Sequence, residues 1–323
     1  MKEIFNLFDL NIHFPITDPT WIFFLVLVII LFAPIVLERL RIPHIIGMIL
    51  AGIVIGEHGF NILARDSSFE LFGKVGLYYI MFLAGLEMNM EDFKSIRFKA
   101  TVLGLLAFVI PLVIGIWTNV SLLGYTITAS VLLASMYASH TLIAYPIVIR
   151  YGINRQRSVN IAVGGTAVTD TLTLLVLAVV GGMYKGEYSE MFWVWLALKV
   201  ILISGFIMIT FPRIGRWFFR RYNDNVVQYI FVMAMVFLGA GLMEFVGMEG
   251  ILGAFLAGLV LNRLIPHVSP LMSHLEFVGN ALFIPYFLIG VGMLIDLNVL
   301  FGHIDSLKVA SVMIVVALGG KWI

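Results

Sequence analysis

One stretch of the sequence holds the residue best suited to chemistry inside a membrane. Residues 161–180 read IAVGGTAVTDTLTLLVLAVV and hold a single ionisable group, Asp170, at their centre. Twenty residues at ~1.5 Å rise per residue span the ~30 Å hydrocarbon core of a bilayer. A carboxylate at that depth costs at least ~2.5 kcal/mol, so such residues are usually functional. We therefore predict a functional acid, the alternative being a protonated Asp that only hydrogen-bonds a neighbouring helix.

Threonines accompany this acid on the predicted helix. Thr166 lies four residues before Asp170 and Thr173 three residues after it, and these spacings place side chains on one helix face. Thr169 lies beside Asp170, about 100° around the helix. Carboxylate and hydroxyl oxygens are the ligands that hard cations prefer. The face predicts a site for a monovalent cation or a proton at Asp170 and Thr169.

A second polar segment lies in the predicted fifth helix, residues 124–149, which contains SMYASHT and then Pro146. Because proline removes a backbone donor, a break here would expose carbonyls and half-helix ends to an ion. Ser139 and Thr141 offer hydroxyl oxygens, and His140 is a possible proton carrier because histidine titrates near neutral pH. A kinked, packed helix with a hydrogen-bonded histidine remains the alternative.

Lys321 is the basic residue of the final apolar run, which continues from Leu307 to the sequence GGKWI without a polar exit. We therefore expect the chain to end inside or just after a helix. A buried ammonium group needs a carboxylate partner or loses its proton, and Asp170 is a candidate partner. Snorkelling of the lysine to the membrane surface is the alternative.

Composition sets the class of protein. Hydrophobic residues make up 61% of the chain, charged residues 12%, and the mean hydropathy is +1.04; soluble domains average about 25% charged residues. We predict an all-α polytopic membrane protein. A net charge of +1 suggests no nucleic-acid partner, and the absence of cysteine excludes disulfides and thiolate metal sites. With neither HExxH nor a Walker motif, we expect no cofactor and no enzymatic activity.

Hydropathy and charge predict the topology. We predict eleven helices, at residues 20–37, 43–56, 70–88, 97–117, 124–149, 158–182, 189–211, 226–246, 249–263, 274–295 and 307–323. Loops after odd-numbered helices hold thirteen Lys or Arg residues and the others hold four. Because basic loops stay in the cytoplasm, the N-terminus is predicted to lie outside, with the run Arg213–Arg221 as a cytoplasmic anchor.

An internal repeat supports a transporter architecture. GMILAGIV at 47–54 resembles GAFLAGLV at 253–260, and the stretch from Phe72 resembles that from Phe277 at nearly the same offset. Helix two thus corresponds to nine and helix three to ten, and a shift of seven helices inverts the topology. Inverted repeats are typical of secondary transporters, with the substrate site near the midplane. We predict repeat one at about 20–182, a linker helix at 189–211 and an incomplete repeat two at about 226–323.

Several segments together resemble the monovalent cation:proton antiporter superfamily, particularly bacterial sodium/proton or potassium/proton exchangers of the cation:proton antiporter-2 type. The segments, in chain order, are IPHIIGMILAGIVIGEHG, LYYIMFLAGLEM, the helix-five block, GGTAVTDTLTLL, GAFLAGLVLNR, IPYFLIGVGMLIDL and ALGGK. The resemblance implies thirteen helices, of which about eleven are present, with discontinuous crossing helices, a dimerisation half and a mobile core half. It implies that Asp170 binds the ion and that Lys321 is the core lysine. Some members have two adjacent acids where this chain has Thr169 and Asp170, so the first acid is absent here.

The expected function is exchange of Na⁺ or K⁺ for protons by alternating access. Asp170 is the shared site, in a homodimer of the inner or plasma membrane. One desolvated carboxylate holds a proton or a cation but not both comfortably, which predicts one-for-one, electroneutral exchange. Proton release from Lys321 would make exchange electrogenic. A sodium-coupled organic-anion symporter of similar fold and an ion channel are the alternatives; the first needs a second polar cluster and the second a charged ring, and we find neither.

Overall fold

The computed structural model of the chain is helical. It describes residues 14–39, 44–87, 90–137, 148, 151–153, 156–185, 192–266, 268–302 and 304–322. Its helices are α1 (Pro19–Glu38), α2 (His44–Ile55), α3 (Ser67–Glu87), α4 (Met90–Ser121), α5 (Ile127–Tyr137), α6 (Arg157–Lys185), α7 (Phe192–Arg221), α8 (Asn225–Phe245), α9 (Gly250–Leu261), α10 (Pro270–Val278), α11 (Ile284–Met293), α12 (Leu297–Gly302) and α13 (Ile304–Trp322). Within those residues the only extended pairing is an isolated bridge between Ile16 and Leu63. The predicted all-α class is confirmed.

Six of these helical segments are long and apolar enough to cross a membrane. They are Pro19–Leu37, Ser67–Leu86, Phe98–Ser121, Leu198–Arg221, Asn225–Phe245 and Pro270–Met293. Shorter apolar helices cover His44–Ile55, Ile127–Tyr137, Gly250–Leu261 and Ser306–Gly320. The chain is therefore a multi-pass membrane protein, while the number of eleven spans stays a prediction.

Two helices extend beyond their predicted ends. The helix predicted at 97–117 runs over Met90–Ser121, and the helix predicted at 189–211 runs over Phe192–Arg221. The basic residues assigned to loops there lie on helical turns instead. Hydropathy marks only the membrane-embedded part of a helix, whereas Arg and Lys are good helix formers and let the helix continue. In the second case the helix ends at Arg221, three residues before Asp224, which caps α8.

A single predicted helix at 274–295 is divided by a wider turn. The π-helical turn Gly279–Phe283 joins α10 to α11, and Pro285 follows at the start of α11. Because proline lacks the N–H that an α-helix needs, a local change in the hydrogen-bond pattern accommodates it.

The first of two compact units contains Met1–Leu77 and Phe277–Ser306. Its centre is a contact between α2 and α11 made by glycines. A Cβ atom on Gly52 would overlap the carbonyl oxygen of Ile289, and one on Gly292 would overlap that of Ile49. Small residues let helix backbones approach this closely, which is how helices associate in lipid.

The second unit contains Tyr78–Glu276 and Leu307–Ile323. Here α3 meets α9 in the same way, because a Cβ on Gly258 would overlap the carbonyl oxygen of Phe82. Gly258 is the repeat counterpart of Gly52, and α3 is the counterpart of the helix ending in α11. A glycine of the shared G-x-x-L-A-G-x-V motif thus makes a close helix contact in each unit, and the helix it contacts comes from the other predicted repeat; the repeat boundaries stay a prediction.

Candidate ion site around Asp170

Asp170 lies within α6 and is buried in the second unit. Its side chain is 9% exposed and that of the neighbouring Thr169 is 3% exposed. A buried acid among apolar helices is costly and is usually retained for transport of an ion or a proton. The burial therefore fits the predicted role of this carboxyl group.

Helix α4 packs closely along the same helix that carries Asp170. A Cβ on Gly104 would lie 2.6 Å from the carbonyl oxygen of Gly165 and 2.7 Å from the Cβ of Val168, and one on Gly165 would lie 3.3 Å from the carbonyl oxygen of Ala100. The later residue of α4, Gly104, contacts the later residue of α6, Val168, so the two helices run in the same direction. This crossing fixes α6 just before the turn that holds Asp170.

Helix α5 runs in the opposite direction and packs on the next turn. The Thr173 hydroxyl of α6 donates to the carbonyl oxygen of Ser135 in α5 at 3.1 Å. On the other side, a Cβ on Gly115 of α4 would lie 2.8 Å from the Cβ of Ala134. Ser135 thus contacts α6 about one helical turn from Asp170 along the axis of that helix.

The threonine hydroxyls of the predicted polar face donate to carbonyl groups. Thr169 donates to the carbonyl oxygen of Thr166 at 2.9 Å, and Thr166 donates to that of Ala162 at 2.9 Å. A hydroxyl group has one proton and two lone pairs. Because these protons point to the backbone, the oxygen lone pairs remain suited to a cation or a proton donor.

A buried polar network fixes α5 against the end of α4. The Tyr137 hydroxyl donates to Asn119 Oδ1 at 2.8 Å, and Asn119 Nδ2 donates to the carbonyl oxygen of Ser130 at 3.3 Å. The Asn119 side chain is fully buried. The network orients the last described turn of α5.

Asn119→Ala is expected to destabilise the protein more than Tyr137→Phe. The alanine variant leaves both Tyr137 and the Ser130 carbonyl without this partner, and each buried group left unsatisfied costs about 1–3 kcal/mol. The apparent Tm of the purified protein in detergent measures this. Equal Tm values for the two variants would contradict a linking role for Asn119.

Helix α13 packs against α4 and α5 in the second unit. Val316 packs with Ala134 and Tyr137, and a Cβ on Gly320 would lie 3.1 Å from the Pro111 Cγ of α4. Lys321 follows Gly320 within this helix, and its side chain lies outside the described residues. The predicted Ser139, His140, Thr141 and Pro146, and the predicted helix break, also lie outside them.

Two interhelical hydrogen bonds were not predicted from the sequence. The Tyr78 hydroxyl donates to Glu244, and the side-chain amide of Asn262 donates to the carbonyl oxygen of Leu86. The bonded residues are 166 and 176 positions apart, so no local pattern reports them. Across the described residues, no group of three or more His, Asp and Glu side chains forms a metal site.

Long apolar helices that approach one another through glycines are typical of a polytopic membrane protein. A family model described as "Sodium/hydrogen exchanger, transmembrane" matches residues 26–322. The Na(+)/H(+) antiporter NhaS5 of Synechocystis is 40% identical over 304 residues, which cover 94% of this chain and 43% of that protein. The chain therefore belongs to the sodium/hydrogen exchanger family.

Other similar proteins agree with this assignment. A probable Na(+)/H(+) antiporter 3 of Methanocaldococcus jannaschii is 29% identical over 94% of this chain and 78% of that protein. The solved structure of the sodium proton antiporter MjNhaP1 from the same organism has a TM-score of 0.70, with 16% identity, over 94% of this chain and 75% of that chain. The predicted family and antiporter fold are confirmed. The chain spans less than half the length of NhaS5.

Proposed function

We propose that this chain exchanges a monovalent cation, Na⁺ or K⁺, for protons, with Asp170 as the site that both ions share. The observation that supports this most is the burial of Asp170 in a helix of a family whose similar members are named sodium/proton antiporters. A desolvated carboxylate binds a proton or a cation in turn. If only the loaded forms expose Asp170 to the other side, opposite gradients drive exchange.

The direction of α5 supports a contribution from Ser139 and Thr141. The Ser135 carbonyl lies level with Thr173, and the chain then runs opposite to α6. Ser139 and Thr141 follow Ser135 by four and six positions in the sequence, and Thr173 lies three positions after Asp170. We propose that hydroxyl or carbonyl oxygens of this segment complete the cation site and that His140 exchanges protons with it.

The register of α13 supports a role for Lys321. Gly320 of α13 packs on Pro111 of α4, which lies seven residues after Gly104. Because α4 and α6 are parallel and cross at Gly104 and Gly165, the equivalent level on α6 is Leu172, seven residues after Gly165. The backbone of Lys321 therefore lies close to the level of Asp170. We assign Lys321 as the charge partner of Asp170 in the empty state.

In the cell we place the protein in the inner or plasma membrane as a homodimer, with its N-terminus outside.

Proton flux in proteoliposomes tests the proposed exchange. The purified protein is reconstituted with a pH-sensitive dye inside, and Na⁺ or K⁺ is added outside. Exchange predicts internal alkalinisation that depends on the added cation, with choline as the control. Cation uptake without proton movement would favour a channel, and uptake only with an organic anion would favour a symporter; either result would overturn the proposal.

Exchange is expected to be electroneutral. Asp170 has Thr169 beside it where some relatives have a second acid, so one carboxylate carries one cation one way and one proton back. With a membrane potential imposed and no pH gradient, the cation should not accumulate. Accumulation that follows the potential, with leak controls subtracted, would refute the one-for-one scheme and indicate Lys321 as a second proton carrier.

A further inference from the structure

A basic face covers the last turns of α7. Arg213, Arg216, Arg220 and Arg221 project there together with Trp217, which is 64% exposed. At 100° per residue these five positions fall within an arc of about 140°. The four arginines are exposed as well. A helix end that was predicted as a loop is therefore an ordered basic surface.

The opposite side of this helix end is packed against the protein. Phe218 stacks on Phe231 of α8 with ring centroids 4.0 Å apart, and Phe211 is fully buried. A Cβ on Gly215 would lie 2.6 Å from Leu264 Cδ1. These contacts fix the rotation of the helix, so the arginines stand away from the unit.

The positive charge of this face has no acidic partner among the described residues. The ion pairs there join His58 with Asp296 and Arg65 with Glu70. Arg213 Nη1 and Arg216 Nε donate instead to backbone carbonyls of α7, at 2.7 and 3.2 Å. Because like charges three and four residues apart repel on a helix, the face favours anions from outside the chain.

The depth of the face indicates which anions are available. From Phe192 to Pro212 the helix rises about 30 Å, which matches the thickness of the hydrocarbon core, so we infer that the arginines from Arg213 onward lie in the headgroup layer. The remaining turns rise about 12 Å through that layer. Tryptophan favours this boundary, and guanidinium groups bind phosphate oxygens in bidentate geometry.

We propose that the basic face of α7 is a binding surface for anionic phospholipid headgroups. The arginines contact the phosphodiester oxygens while Trp217 lies at the acyl boundary. The surface discriminates anionic from zwitterionic lipid because only the former supplies net charge to the four guanidinium groups. It lies outside the Asp170 site and does not depend on which cation is exchanged.

Lipid retention by the purified protein tests this proposal. Wild type in detergent is mixed with equal amounts of phosphatidylglycerol and phosphatidylcholine, and the lipid bound per protein is measured by native mass spectrometry. R213Q/R216Q/R220Q is the test variant. K99Q/R157Q/K308Q, which removes three exposed charges elsewhere, is the matched control. Size-exclusion profiles report whether each variant is folded.

The expected result is preferential retention of phosphatidylglycerol by wild type and control. In the test variant this retention falls about a hundredfold, because each of the three lost basic residues weakens anionic-lipid binding by about fivefold. Equal retention by the test variant would overturn the proposal. So would displacement of the lipid by inorganic phosphate at equal concentration, or tighter binding of polyglutamate than of phosphatidylglycerol, which would indicate an acidic protein partner.

Discussion

Asp170→Asn should abolish cation-driven proton flux while the protein still inserts and folds. Asparagine has nearly the same shape, so the α4–α6 crossing at Gly104 is undisturbed, but its amide neither binds a proton at physiological pH nor supplies a negative charge to a cation. We expect flux in proteoliposomes to fall to the level of empty liposomes. Both the Na⁺-driven and the K⁺-driven signal should disappear together.

Asp224→Asn is the matched control for this variant. Asp224 is the N-cap of α8, where its carboxylate accepts the backbone N–H of Val227 at 2.9 Å. Asparagine caps a helix about as well as aspartate. This variant should therefore exchange at the wild-type rate. Wild-type flux in Asp170→Asn would exclude Asp170 as the ion site.

Gly258→Ala should destabilise the protein through the backbone of α3. The new methyl group would overlap the carbonyl oxygen of Phe82, so the two helices must separate. Overpacking of this kind costs about 1–3 kcal/mol. We expect a lower apparent Tm in detergent and less folded protein in the membrane.

Gly241→Ala provides the comparison for that variant. Gly241 lies within α8 and a Cβ there meets nothing within 4 Å. Its Tm should match or exceed that of wild type, because alanine favours the helix. If both variants had the same Tm, close backbone approach at Gly258 would not limit stability.

The sequence predicted the features that a local pattern encodes. Asp170 was singled out because it is the one ionisable residue of an apolar stretch, and the repeat was found because two short motifs recur at nearly one offset. Both signals depend on a few adjacent residues. Composition predicted the class correctly, and the resemblance of several segments to a known family predicted the family correctly.

Features that depend on distant residues or on the membrane boundary were not predicted. The extension of α7 to Arg221 was missed because hydropathy ends where the bilayer ends, although the helix continues. The bond from Tyr78 to Glu244 and the network at Asn119 join separate helices. Their formation depends on how those helices pack, which periodicity does not report.

Proton release on cation binding tests the shared site most directly. Purified protein in weak buffer, at a pH where Asp170 is protonated, is titrated with Na⁺ and with K⁺ while the pH is followed. Competition at one carboxyl group predicts about one proton released per bound cation in wild type and none in Asp170→Asn. Cation binding by wild type without proton release, or unchanged release from Asp170→Asn, would contradict Asp170 as the shared site.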